Sequence, residues 1–148
     1  MSTASDIAHV VDRMVHADLQ DPFALARARL YVVPDDERDS RVDFLDEDEN
    51  PYRLLIRTRH HQAVRAGCLV VTGWCAPLDG PSGPGPEDVR PSEHPQRQRV
   101  RVCVAITDAG IATVMRRSNE PDHVQHLPDR GTGDLPDVLE SWWQGTLR

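Results

Sequence analysis

The amino-acid sequence predicts an α+β fold in a single domain: N-terminal helices, a three-stranded antiparallel meander at about residues 68–76, 99–107 and 111–117, and a C-terminal helix. Three observations carry this. Apolar residues recur at three- and four-residue steps near both ends of the chain, the period of a one-sided helix. The run CLVVTGWCA at 68–76 is apolar, β-branched and too short for a typical helix, which suits a strand covered on both faces. Two alternating segments then flank Asp108-Ala109-Gly110, a turn signal. At 148 residues the chain has the length of one domain, 1–148, and a domain of that size removes roughly 68–70% of its unfolded surface from water.

The first helix is expected over residues 5–19, with Ile7, Val10, Val11, Met14 and Ala17 on the buried stripe, Asp6, Asp12, Arg13 and Asp18 off it, and Ser5 as N-cap. A second is expected from Pro22 to Val33, capped by Asp21 and ended by Pro34, although Leu30-Tyr31-Val32-Val33 also fits a short strand. Residues 35–50 hold nine carboxylates against two arginines and read as a solvated acidic loop. Asn50-Pro51 repeats the cap-plus-proline signature and Gly67 stands where a C′ residue belongs, which predicts a third helix over 51–66. The alternation of Tyr52, Leu54, Ile56 and Thr58 with arginines and Leu55 supports a strand at 52–58 instead.

Residues 77–97 carry Pro77, Pro81, Pro84, Pro86, Pro91 and Pro95 with three glycines, and read as a long loop. In the hairpin that follows, Gly110 suits the left-handed position of a three-residue loop, a register that sets Arg101 near Arg117 and Val102 near Arg116. The last helix has Leu135, Val138, Leu139 and Trp142 at helical spacing, with Asp134, Asp137 and Glu140 early, where the helix dipole favours acids. The predicted core is Leu69, Val71, Val100, Val102, Val104, Ile106, Val114, Leu139 and Trp142.

All 17 basic residues are arginine, against 24 acidic ones, for a net charge of −7. Mechanisms that require a lysine, such as a P-loop or a Schiff base, are therefore excluded. A mean hydropathy of −0.53 and the lack of any apolar run near ~18 residues predict no membrane-spanning helix. The polar start Met1–Ser5 and the interruption at Asp12-Arg13 predict no secretory signal, and Cys68, Cys75 and Cys103 read as reduced, buried thiols, so the chain is expected to be cytoplasmic.

Charge is unevenly spread: residues 1–50 carry −8, residues 51–118 carry +5 and residues 119–148 carry −4. On a strand, Arg97, Arg99 and Arg101 share a face, with Arg116 and Arg117 on the neighbouring strand of the hairpin. Like charges across a ladder need an offset. It can come from the chain's own acidic 35–50 loop or C-terminal helix, from an external anion, or from solvent at an edge. A helix bearing Arg53, Arg57, Arg59 and Arg65 followed by an arginine-rich hairpin resembles the layout of winged-helix DNA binders over residues 51–117. It departs from that layout in the apolar strand and Pro/Gly loop between helix and hairpin.

Chemical motifs are incomplete. Asp46-Glu47-Asp48-Glu49-Asn50 begins like a calcium loop, but Pro51 stands where the glycine belongs and Arg57 where the bidentate glutamate belongs. His60-His61 with Cys68, and His123 with His126, fall short of a zinc pattern, so no metal and no cofactor is expected. Gly80-Pro81-Ser82-Gly83-Pro84 lacks the last glycine of a nucleophile elbow. Cys75 and His94 are the candidate catalytic pair, as a thiolate and its base flanking one loop. Trp142 and Trp143 lie about 100° apart on a helix, so one of them is expected to reach the surface.

These features predict a non-enzymatic, cytoplasmic regulatory or protein-interaction domain. Its candidate binding residues are Arg97, Arg99, Arg101, Arg116, Arg117, Trp74 and Trp143. The expected partner is a protein, a second copy of the chain being one candidate, with no membrane contact. The alternatives are nucleic-acid binding by residues 51–117 and a small hydrolase or transferase at the mouth of the 77–97 loop.

Overall fold

The computed structural model describes residues 3–18, 23–35, 41–59, 64–75, 79–80, 83–84, 98–127 and 134–147. Among them the elements run α1 (Ala4–Asp18), β1 (Ala28–Pro34), β2 (Asp43–Asp48), α2 (Pro51–Thr58), β3 (Val64–Cys75), β4 (Asp79–Gly80), β5 (Gly83–Pro84), β6 (Gln98–Thr107), β7 (Gly110–Arg117), β8 (Glu120–His126) and α3 (Asp134–Gln144). Six strands form one antiparallel sheet in the order β2-β1-β3-β6-β7-β8, and β4 pairs with β5 apart from it. The fold is α+β, but the three-stranded meander is corrected: β3, β6 and β7 are the centre of a six-stranded sheet.

The three added strands each have a physical reason. In β1, Leu30, Tyr31, Val32 and Val33 are all buried, because the strand lies between β2 and β3 with both faces covered. A helix over the same residues would have turned part of that run to water; the Asp21-Pro22 signature itself lies outside the described residues. The acidic segment is not simply a solvated loop, since Asp43–Asp48 pairs with β1 and directs Asp46 and Asp48 at the arginines of α2. The polar β8 follows a two-residue turn at Ser118-Asn119, and as an edge strand it tolerates Pro121.

Helix α1 begins one residue earlier than expected. Thr3, not Ser5, is its cap: Thr3 Oγ1 accepts from the Asp6 amide at 3.1 Å and Asp6 Oδ2 accepts from the Thr3 amide at 3.0 Å, a reciprocal capping box. Its buried face is Ala4, Ile7, Ala8, Val11, Asp12 and Val15, whereas Val10 and Ala17 face water. The stripe is thus rotated so that Asp12 points inward.

Helix α2 ends at Thr58, eight residues before the expected stop at 66, and is not a strand. Asn50 caps it, accepting from the amides of Tyr52 at 2.9 Å and Arg53 at 3.3 Å. Gly67 is no C′ residue. It lies within β3, where an added Cβ would stand 2.7 Å from Cζ3 of Trp142. Arg65 is consequently on β3 and not on the helix, which removes one element of the winged-helix layout.

The β6–β7 hairpin is present, with its register moved by one residue. Thr107 pairs with Gly110, leaving a two-residue turn at Asp108-Ala109, so Arg101 faces Arg116 and Val102 faces Met115. Gly110 holds a φ of 150°, which favours glycine.

The sheet separates two cores. Helix α1 packs on β3, β6 and β7, over Cys68, Val70, Cys103, Ala105, Ala112 and Val114. Helices α2 and α3 cover the other face, over Leu30, Leu69, Val104 and Ile106, with Leu54, Leu55, Leu139 and Trp142 supplied by the helices. Of the predicted core, Val71 and Val102 are partly buried; the rest are buried. Helices α2 and α3 are joined by Trp142 Nε1, which donates to Thr58 Oγ1 at 3.2 Å. Among the described residues no helix is long and apolar enough to cross a membrane.

Candidate functional site

Two features concentrate chemistry: a buried charge cluster under α1 and the surface around the end of α3. The first explains what the hairpin arginines do. Asp12 comes from the inward stripe of α1, while Arg101 and Arg116 are directly opposed on β6 and β7. Arg101 Nε and Nη2 donate to Asp12 Oδ1 at 3.2 and 2.7 Å, and Arg116 Nε and Nη2 donate to Asp12 Oδ2 at 3.2 and 2.6 Å. One carboxylate thus receives two two-pronged guanidinium forks. Asp12 is 1% exposed, Arg101 0% and Arg116 6%.

Backbone oxygens accept further hydrogen bonds from both guanidinium groups. Arg101 Nη2 also donates to the Asp12 carbonyl at 3.1 Å, and Arg116 Nη1 donates to the Pro121 carbonyl. The Arg101 guanidinium lies 5.7 Å from the centre of the Phe23 ring, within cation–π range. Burial raises the Asp12 carboxyl pKa, but the hydrogen bonds and charges of Arg116 and Arg101 outweigh it and hold the group below its ordinary 3.8. One turn on, burial and then the two arginines push His16 below its ordinary 6.5. Among the described residues, the like charges of Arg101 and Arg116 are therefore offset within the chain by Asp12 of α1.

The acidic segment has its own partners. Arg53 and Arg57 donate to Asp48 at 2.7 Å each, and Arg57 Nε donates to Asp46 at 2.9 Å. The hydrogen bonds from Arg53, from the Asn50 amide and from Arg57 hold the Asp48 carboxyl far below 3.8. The oxygens that resemble the start of a calcium loop are thus bound to guanidinium groups, and Asn50 is a helix cap. Among the described residues no group of three or more His, Cys, Asp or Glu is placed to hold a metal. His123 and His126 lie on β8, and the His126 ring meets that of His9 edge-on at 6.0 Å; His60 and His61 lie outside the described residues.

The second feature is Trp143. Helix α3 closes with a Schellman motif: Gly145, at φ 73°, donates from its amide to the Trp142 carbonyl at 3.1 Å, and Thr146 donates to the Ser141 carbonyl at 2.9 Å. Trp142 turns into the core and Trp143 stays half-buried, its ring centre 6.3 Å from that of Trp142. Trp143 lines two neighbouring hollows. One, of about 310 Å³, is walled by Arg59, Val64, Asp108 and Trp142; the other, of about 250 Å³, by Asp108, Ile111 and Glu140. A third hollow of about 310 Å³ opens beside the same β6–β7 turn, between the start of α1 and His126.

No protein-family model, curated protein or solved structure matches this chain.

The other predicted site residues fall as follows. Arg99 is exposed on β6 and its Nη1 donates to the Phe23 carbonyl at 3.4 Å. Arg117 is half-buried opposite Val100. Trp74 and Cys75 end β3, opposite Arg99 and Gln98 in register; their side chains, and His94 and Arg97 entirely, lie outside the described residues. Cys68 and Cys103 are buried beneath α1, where burial pushes the Cys68 thiol well above its ordinary pKa and the Cys103 thiol beside it adds to the shift. Sequence reasoning missed Asp12, whose signal was its place four residues after Ala8 and one after Val11 on the inward stripe.

Proposed function

We propose that this protein is a non-enzymatic, cytoplasmic interaction domain that works by protein–protein contact, with the α3 end of the sheet as its contact surface and Trp143 as the anchor. The observation that carries the reading is the placing of a half-buried tryptophan between two surface hollows at the end of α3. Large aromatic side chains set beside pockets are the residues that dominate protein interfaces. The hairpin arginines give less support than their number suggests, because Arg101 and Arg116 are spent on Asp12. The same pairing, with Arg53 and Arg57 bound to Asp48, weakens the nucleic-acid alternative, which needs free cationic charge.

The test is site-specific photo-cross-linking in cells. A photoreactive residue at Gln144, exposed beside Trp143, is expected to capture a defined protein or a second copy of the chain. The same residue at Arg13, exposed on α1, is expected not to. Loss of the adduct on Trp143→Ala is the confirming result. No adduct from position 144, or the same adducts from both positions, would overturn the reading.

A further inference from the structure

His16, in the last turn of α1, stands at the edge of the buried charge cluster. It is half-buried, and its Nδ1 is out of water with no hydrogen-bond partner among the described residues. Its ring meets that of Phe23 edge-on, the centres 6.2 Å apart, and the same Phe23 ring lies 5.7 Å from the Arg101 guanidinium. Neutral imidazole carries one N–H and imidazolium two, so a proton at Nδ1 would make a charged donor buried without an acceptor. Charged groups reach this site from every side. Arg116 on β7 and Arg101 on β6 oppose protonation of His16, whereas Asp12 on α1 and Asp122 on β8 favour it. Arg99 of β6 donates to the Phe23 carbonyl at 3.4 Å, and Arg13 and Asp18 of α1 are exposed. Burial first, and then the two buried arginines, keep the imidazole below its ordinary 6.5.

We propose that His16 is an acid-sensitive latch: neutral, it seats the last turn of α1 and Phe23 over the Arg101–Asp12–Arg116 cluster, and its protonation releases both from the sheet. Released into water, the imidazole regains an acceptor for each N–H. A base held below 6.5 in the seated state leaves that state at full strength above about pH 6.5 and weakens it as pH falls further. At pH 5, 1.5 units below 6.5, one such proton raises the opening constant by up to about 30-fold. The latch lies at the α1 face and is independent of the contact surface proposed at the end of α3.

The experiment is NMR on the whole isotope-labelled chain, in two parts. The first follows the His16 imidazole signals with pH, and a midpoint below 6.5 is expected. The second measures hydrogen-exchange protection of the amides of Arg13 to Ala17 at pH 7.5 and pH 5. In the wild type their protection is expected to fall by at least about threefold, with about 30-fold as the ceiling. These amides should also be less protected at pH 5 than those of Cys68 to Val70 in β3, the mark of a local release. His16→Gln, which cannot take the proton, is expected to lose the acid response. His126→Gln, which removes an exposed histidine of β8, is expected to keep it. A His16 midpoint at or above 6.5, which Asp12, Asp122 and the dipole of α1 would produce if they prevailed, would overturn the proposal. So would equal protection of α1 and β3 at pH 5, or an acid response in His16→Gln as large as in the wild type. The imidazole titration needs no variant, so the proposal stays testable even where a substitution disturbs the fold.

Discussion

Replacing Asp12 by Asn keeps the shape of the side chain and removes its charge, and so isolates what the buried cluster does. In the native protein the carboxylate accepts four hydrogen bonds from two guanidinium groups at 2.6 to 3.2 Å, with all three side chains almost wholly out of water. The amide keeps one acceptor oxygen and presents an NH₂ group to the other fork, so two buried cations lose the Asp12 counter-charge. Breaking a buried ion pair from one side costs about 3–5 kcal/mol. With a urea m-value of about 2 kcal/mol/M, the unfolding midpoint of Asp12→Asn should fall by about 2 M. Asp43→Asn, which breaks the exposed Arg41–Asp43 pair, should stay within about 0.5 kcal/mol. Because the Asp12 pKa is lowered on folding, its contribution is present at neutral pH and is lost as pH falls below 3.8 through the folded value. Urea titrations followed by far-UV circular dichroism at pH 7 and at pH 3 measure both effects. An Asp12→Asn midpoint within about 0.5 M of the wild type would refute the reasoning.

Three further outcomes follow from the same structure. Gly67→Ala drives a Cβ to 2.7 Å from Trp142, whose indole is held by packing and by Thr58, so thermal unfolding should register a loss of about 1–3 kcal/mol. Asn50→Ala removes the acceptor for two amides at the start of α2 and should cost about 1 kcal/mol in the same assay. In a Cys75→Ser background, Cys68 and Cys103 should resist a thiol reagent in the native state and react at the rate of free thiols once urea unfolds the chain, because both are buried under α1.

The elements most legible in the sequence were those whose burial is one-sided or whose turns are local. Helices α1 and α3, the cap at Asn50 and the β6–β7 hairpin fall in this group. Strand β1 was ambiguous because a central strand buried on both faces has no alternation to read. Strands β2 and β8 were hidden for the opposite reason: at the edges of a sheet, DFLDED and EPDHVQH keep side chains in water or in ion pairs, and so look like loops. Asp12 was misplaced because a carboxylate on a helix is read as outward-facing unless its partners are known, and those partners lie 89 and 104 residues away. The exposed character of one of the paired tryptophans was visible from helical geometry, but the hollows beside Trp143 depend on a turn more than 30 residues earlier in the chain.

Arg101 and Arg116 of the hairpin are held inside the chain by Asp12, and the proposed contact lies at the α3 end. The direct test is the affinity of the protein cross-linked from position 144 for two variants matched in stability, Trp143→Ala and the double variant Arg99→Gln with Arg117→Gln. Trp143→Ala is predicted to weaken binding by at least about 30-fold, the roughly 2 kcal/mol of a hot-spot truncation, with the double arginine variant close to wild type. Loss of binding in the arginine variant, with Trp143→Ala unaffected, would contradict the account.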